Sequence, residues 1–229
     1  MMTLAFESEY DRRVYADSHL PLLDSLFGHR IDLRHELYQL THGHRRLHNG
    51  GLDDGPCTAW PSPPSRAPVW QLIAETTGAR RFLEIGTGLG YTAALIAEAA
   101  GPGAQVDTIE IDTEHADEAM AQLDKIGLLN RTRVLRGDAV AILPTLIEPY
   151  DVVFADGGQE EISGHLNRLT RPGGVPAEIT ALLRDSLVEV LADLRAALGR
   201  GGESDDLALS EARDAYGRNV SDALDTARG

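Results

Sequence analysis

The stretch that most constrains this chain is Phe82-Leu83-Glu84-Ile85-Gly86-Thr87-Gly88-Leu89-Gly90-Tyr91-Thr92, a short apolar run that enters three alternating glycines and leaves into a helix-forming segment. Alternate glycines let the backbone turn sharply and approach a ligand, because any Cβ there would occupy the ligand's space. The helix that follows presents free N–H groups at its start. The pattern predicts a strand, a tight turn and a helix, with a bound nucleoside at the turn. A lone glycine-rich turn is weak, so the reading needs a partner acid.

Glu110 supplies it. It ends the run Thr108-Ile109-Glu110-Ile111-Asp112, a little over twenty residues past the turn, where a carboxylate accepts from both ribose hydroxyls. Dinucleotide sites prefer G-x-G-x-x-G/A, whereas here Gly90 is followed by Tyr91, with no small residue at the third glycine's place. That tilts the reading away from NAD.

The surrounding rhythm agrees. Short apolar runs alternate with amphipathic stretches, as in repeated strand–helix units of a parallel sheet. Strands are predicted at 81–85, 105–111, 133–135 and 150–155, and helices at 69–77, 92–100, 113–126 and 139–143. The fold class is α/β, a Rossmann-like, doubly wound, mostly parallel sheet with helices on both faces. Three regions are expected: a helical N-terminal lid with a Pro-rich loop over 1–68, a nucleoside-binding core over 69–200, and an acidic tail or docked helix over 201–229. Ile179, Leu182, Leu183, Leu187, Val190, Leu191, Leu194 and Leu198 predict one long amphipathic helix over 178–198, a candidate for covering a sheet edge or pairing two subunits into a homodimer.

Composition excludes several partners. Lys and Arg total 21 against 36 Asp and Glu, a formal net charge of -15, so a phosphate backbone or anionic membrane is repelled overall. The single cysteine, Cys57, excludes an internal disulfide framework and any multi-thiolate zinc site. The first fifteen residues carry Glu7, Glu9 and Asp11 without an apolar core, and no uncharged apolar run reaches the roughly 18 residues of a membrane span. The expectation is a cytoplasmic protein with no nucleic-acid or membrane partner. Histidines in the Thr41–His48 segment sit among arginines and read as surface residues, Cys57 has no evident activating neighbour, and no metal is assigned. Trp60 and Trp70 read as core anchors rather than walls of an acceptor pocket.

At this point the sequence resembles the class I S-adenosylmethionine-dependent methyltransferases, which carry E-x-G-x-G-x-G after the first strand. Within them it looks most like the catechol and caffeoyl-CoA O-methyltransferases, through LEIGTGLGYTA, TIEID, GLLNRTRVLRGDAVAILPTL, YDVVFADG and LTRPGG, roughly residues 69–175. The resemblance implies that Glu84, Gly86, Gly88 and Thr92 surround the methionine moiety, that Glu110 binds ribose, and that Asp138 and Ala139 border adenine. Thr87, Gly90, Ile111 and Asp156 complete the implied cofactor set. The implied acceptor is a small-molecule hydroxyl.

The sequence departs from that family at its Mg²⁺ site. The fourth strand ends Asp156-Gly157-Gly158-Gln159 where metal-dependent members have D-A-D-K, and Val175-Pro176-Ala177-Glu178 stands where D-N is usual. A family-type Mg²⁺ site is therefore not expected, and Glu178 would substitute only after a one-residue shift. Pro176 lacks the N–H that a central strand donates, so the fifth strand is predicted to be short or absent. Asp156, at the carboxyl end of the fourth strand, is the candidate base or substrate anchor. The same departures admit two other readings: a cofactor-binding, non-catalytic partner or regulator, and a protein carboxyl methyltransferase of the isoaspartyl type.

Overall fold

The computed structural model describes residues 31–51, 55–59, 70, 73–74, 77–155, 159–180 and 205–228. Among the described residues helix α1 (Ile31–His48) comes first, with Arg45, Arg46 and His48 in its last turn, where cations complement the helix dipole. The core then alternates: β1 (Arg81–Ile85), α2 (Tyr91–Ala100), β2 (Gln105–Glu110), α3 (Thr113–Lys125), β3 (Thr132–Arg136), the single turn α4 (Ala139–Ile142), β4 (Tyr150–Ala155), α5 (Gln159–Leu169) and β5 (Thr170–Val175). Helix α6 (Asp205–Arg228) follows.

The strands form one sheet in the order β3-β2-β1-β4-β5, and every pairing is parallel. The expected Rossmann-like fold is therefore present. Its order reverses between β1 and β4, and in open parallel sheets ligands bind beyond the carboxyl ends of the strands at that point. β4 is buried along all its residues, as a central parallel strand should be. Side chains alternate between two cores: Phe82, Val106, Val152 and Phe154 pack with Trp70, Ile73 and Ile96 on one face, while Leu83, Ile85, Ile109 and Val153 pack with Ile162 and Leu166 on the other. Burying a side chain such as Phe82 contributes about 1.5–3 kcal/mol.

Local sequence explains the helices flanking the site. In α3, Asp112 is the N-cap and accepts from the backbone N–H groups of Glu114 (2.9 Å) and His115 (3.2 Å). His115, Ala116, Ala119, Gln122 and Leu123 then form its buried stripe at helical spacing. α2 is apolar on nearly every side and correspondingly buried.

Some expectations change. The fifth strand is present: β5 runs six residues beside β4 and ends before Pro176, so the missing N–H of that proline costs no ladder bond. Pro172 within it is tolerated because β5 is outermost in the described sheet, and the pairing with β4 shifts register between Tyr150 and Val152. Trp70 is a core anchor, edge-to-face with Phe154 at 4.7 Å. Residues 205–228 form a continuous helix that contacts β5 and buries Val220 in the core. Residues 177–180 open a helical turn where the 178–198 helix was predicted, but 181–204, like Trp60 and Asp156, lie outside the described residues.

The polar reading of Thr41–His48 is corrected. Thr41, His42 and Arg45 are buried and so is the His44 side chain, because this part of α1 lies against the body of the domain rather than in solvent.

Candidate functional site

The turn after β1 has the strained geometry that its glycines predict. Gly86, Gly88 and Gly90 take φ values of 94°, 52° and 86°, in the left-handed region that side chains other than glycine rarely adopt. The backbone N–H groups of Gly86 and Thr87 both donate to the Ile109 carbonyl, at 2.9 and 3.2 Å, which locks the turn onto the end of β2. The three glycines then differ in purpose. A Cβ on Gly86 would stand in open space, one on Gly88 would only reach the Ala59 backbone at 4.0 Å, but one on Gly90 would meet Leu123 and Ala119 at contact distance, 3.4–3.5 Å. Gly86 and Gly88 keep a cradle open; Gly90 lets α3 pack closely.

Beneath the turn runs a chain of buried polar groups. The Thr108 hydroxyl donates to Glu84 Oε2 at 2.6 Å, and the Thr87 and Thr108 hydroxyls lie 2.6 Å apart. Glu84 is completely buried and lines neither of the cavities described next, so it holds the turn from below.

Glu110 is the centre of the site. Its Oε2 accepts the Gly88 N–H at 2.7 Å and its Oε1 accepts the Asp112 N–H at 2.9 Å. An ionised carboxylate offers about four lone-pair sites, so two remain for a ligand diol. Two cavities meet there. One, of about 320 Å³, is walled by Gly86, Thr87, Gly88, Thr92 and Phe154 together with Thr41 and Thr58 from the N-terminal region. The other, of about 300 Å³, lies between Ile85, Ile111, Asp138, Ala139, Val140 and Ile162. Gly86, Glu110 and Ile111 border both. Ile111 and Val140 are exposed apolar side chains, at 68% and 39%, placed where a flat ring could lie between them. Asp138 caps α4 by accepting the Val140 N–H at 2.9 Å and keeps further acceptor capacity on an exposed carboxylate.

Most of the residues that the sequence singled out therefore converge: Gly86, Thr87, Gly88, Thr92, Glu110, Ile111, Asp138 and Ala139 line the paired cavities. Glu84 and Gly90 act from behind them. Thr41, Thr58 and Phe154 also line the site, and no sequence signal could place Thr41 or Thr58 there. Asp112 carries a carboxyl held below the usual range, first by the His115 backbone N–H, which reflects its capping duty.

A third cavity, of about 540 Å³, lies at the opposite, amino end of the strands, beside Arg81, Asp107, Arg133 and Tyr150. Asp107, Arg133 and Tyr150 satisfy one another there, while Arg81 Nε is buried without a hydrogen-bond partner among the described residues. Asp107 accepts from Arg133 Nε at 2.9 Å and from the Tyr150 hydroxyl at 2.6 Å, and parallel sheets do not present ligand sites at that end.

Residues 83–177 match the family described as a methyltransferase domain. The chain is 39% identical over 108 residues to a catechol O-methyltransferase of Mycobacterium tuberculosis, covering 45% of this chain and 49% of that protein. It is also 32% identical over 113 residues to a protein-L-isoaspartate O-methyltransferase of Methanopyrus kandleri, covering 49% of this chain and 50% of that one. The chain thus spans about half the length of the curated relatives it matches. Among solved structures, the O-methyltransferase TomG of Streptomyces achromogenes, determined with S-adenosylmethionine, aligns at a TM-score of 0.55 with 25% identity, over 86% of this chain and 89% of that one. The methyltransferase fold thus extends beyond residues 83–177. No described helix is long and apolar enough to cross a membrane.

Proposed function

We propose that this protein transfers a methyl group from S-adenosylmethionine to a hydroxyl of a small-molecule acceptor, without the Mg²⁺ site usual among its relatives. The observation that carries the reading is Glu110 standing between two cavities with half its acceptor capacity already used to hold the turn. Its remaining lone pairs suit a ribose diol, the slot between Ile111 and Val140 suits adenine, and the cradle kept open by Gly86 and Gly88 suits the methionine end. When bound, the cofactor supplies a methyl group already activated as a sulfonium substituent.

What is left to the chain is placement and exclusion of water. Thr41 and Thr58 wall the methionine-side cavity opposite the turn, so α1 and the 57–59 segment serve as the lid over the acceptor. Asp156, which follows β4 directly in the sequence, is assigned as the base or acceptor anchor. The absence of Mg²⁺ dependence rests on Gln159 in place of the family's lysine, and on Val175 and Pro176 in place of its acid and amide. Pro176 instead opens a helical turn, its carbonyl accepting from the N–H groups of Ile179 and Thr180, and Glu178 is exposed on that turn.

Calorimetric titration with S-adenosylmethionine and S-adenosylhomocysteine, with NAD as the negative control, tests the cofactor. Micromolar binding of the first two supports the reading, and no binding overturns it. Incubation with a panel of catechols, other phenols and an isoaspartyl peptide then tests the reaction by release of S-adenosylhomocysteine. Turnover of a phenol at rates unchanged by omitting Mg²⁺ is the expected result. Turnover of the peptide alone would make the protein a carboxyl methyltransferase, and binding without turnover of any acceptor would make it a cofactor-binding partner.

A further inference from the structure

The fold brings together three side chains that are far apart in sequence: His44 on α1, Cys57 in the segment beside the turn, and His115 in the first turn of α3. One donor atom from each lies within 4.8 Å of the others. Cys57 Sγ stands 3.7 Å from His115 Nε2, a neighbour that the sequence did not indicate. A tetrahedral zinc ion, with bonds of roughly 2.0–2.3 Å, sets its nitrogen and sulfur ligands about 3.5 Å apart. The Cys57–His115 pair already has that separation, and the imidazole of His44 meets that of His115 edge-on at 5.1 Å between centroids.

His44 provides the independent observation. Its side chain is only 7% exposed, and its Nδ1 faces the Glu118 carboxylate at 3.9 Å. The other ring nitrogen, Nε2, is buried with no hydrogen-bond partner. A thiol–imidazole contact between Cys57 and His115 would account for that pair alone and leaves a buried nitrogen of His44 unexplained. A carboxylate on one nitrogen and a metal on the other is the usual setting of a ligating histidine.

We propose that His44, Cys57 and His115 bind a divalent cation of the zinc class, clipping α1 and the 57–59 segment to α3 beside the cofactor cavity. Two imidazoles and one thiolate suit a borderline-soft ion and disfavour Mg²⁺ or Ca²⁺. Three protein donors leave one tetrahedral position for water. Burial, together with neighbouring His48 and His115, holds the His44 imidazole toward its neutral form, the form that ligates. On binding, the Cys57 thiol gives up its proton to solvent. Because Thr41 and Thr58 belong to the clipped segments and also wall the cavity, the ion would fix the lid. The site stands whether or not the protein transfers methyl groups.

Cobalt titration of the metal-stripped full chain tests it. One equivalent should give a thiolate-to-cobalt charge-transfer band in the near ultraviolet with intense tetrahedral bands in the visible, both abolished by one equivalent of zinc. Cys57 is the chain's single cysteine, so the charge-transfer band identifies the ligand in the unmodified protein. Cys57→Ser should lose the band, and His44→Ala and His115→Ala should each weaken zinc binding by at least the ~10–100-fold seen when only outer-shell partners are removed. His165→Ala, on α5, should change neither.

Cobalt bound without the charge-transfer band, no cobalt binding, or zinc affinity unchanged in a folded His44→Ala protein would overturn the proposal. Circular dichroism establishes folding in each variant. Titrating the same samples with S-adenosylmethionine keeps the two readings apart. Cofactor binding without the cobalt band sinks only the metal site, and the band without cofactor binding sinks only the methyltransferase reading.

Discussion

Glu110 accepts the backbone N–H of Gly88 at 2.7 Å, so the acid at the end of β2 supports the glycine turn even before any ligand arrives. In the proposed function one carboxylate has two duties: its outer lone pairs are offered to a ligand, and its inner ones hold the turn in shape. Glu110→Gln should separate them. The amide nitrogen cannot accept, so either the Gly88 or the Asp112 N–H loses its partner and one ribose hydroxyl loses an anionic acceptor. A hydrogen bond to a charged group contributes about 1.5–3 kcal/mol, so S-adenosylhomocysteine affinity should fall roughly 10–150-fold by calorimetry. Unchanged affinity would remove Glu110 from the site.

The turn glycines should respond differently to the same added methyl group. Gly86→Ala meets no atom, so its cost is the strain of φ 94°, about 1–2 kcal/mol, and its main effect should be loss of cofactor affinity as the cradle fills. Gly90→Ala carries similar strain at φ 86° and its Cβ would meet Leu123 at an ordinary contact distance of 3.4 Å, so it should lower the denaturant midpoint about as much while leaving cofactor affinity nearly unchanged. Equal loss of cofactor affinity in the two variants would contradict the roles assigned here.

Gly174→Ala should be among the most damaging single-methyl additions. A Cβ there would sit 2.8 Å from the Asp151 carbonyl oxygen and 3.0 Å from that of Arg171, both backbone atoms that cannot swing away. Asp151 is itself a buried tie-point, accepting from the N–H groups of Arg80 (2.6 Å) and Arg81 (2.9 Å) and pairing with Arg171 at 2.9 Å. Overpacking of this kind costs about 1–3 kcal/mol, and chemical denaturation should show it without a change of m-value.

Tyr150 should make the protein sensitive to alkali. Burial, and next its hydrogen bond to Asp107, push the phenol well above its ordinary value near 10, although Arg133 and Arg81 oppose the shift. The folded state therefore retains a proton that the unfolded chain releases. Stability from this group is complete below about pH 10 and declines as pH rises beyond it. Tyr150→Phe should lose about 0.5–1.5 kcal/mol near neutrality and show a shallower decline in alkali. Parallel stability profiles for the two proteins would refute the assignment.

Much of this was legible in sequence because it is local. The 82–92 turn and the apolar run 150–155 are set by residue type and spacing, and each stands within a few residues of its predicted place. β5 was not legible, since Thr170-Arg-Pro-Gly-Gly-Val175 has the composition of a loop and is a strand only because β4 offers it an unpaired edge. The Thr41–His48 segment was misread as surface for a related reason: polar residues on a helix are buried when their partners come from distant segments, and those partners have no spacing to follow.

By itself, then, the sequence determined the parallel α/β architecture, the glycine turn and its acid at Glu110, because strand, turn and helix preferences act over a few residues and that acid lies one strand–helix unit away. Only the tertiary structure decided which glycine faces a ligand and which faces Leu123, that Thr41 and Thr58 wall the site, and that His44, Cys57 and His115 converge. These depend on how α1, the 57–59 segment and α3 pack around the turn, and contacts across such separations come from burial and shape, which leave no periodic mark along the chain.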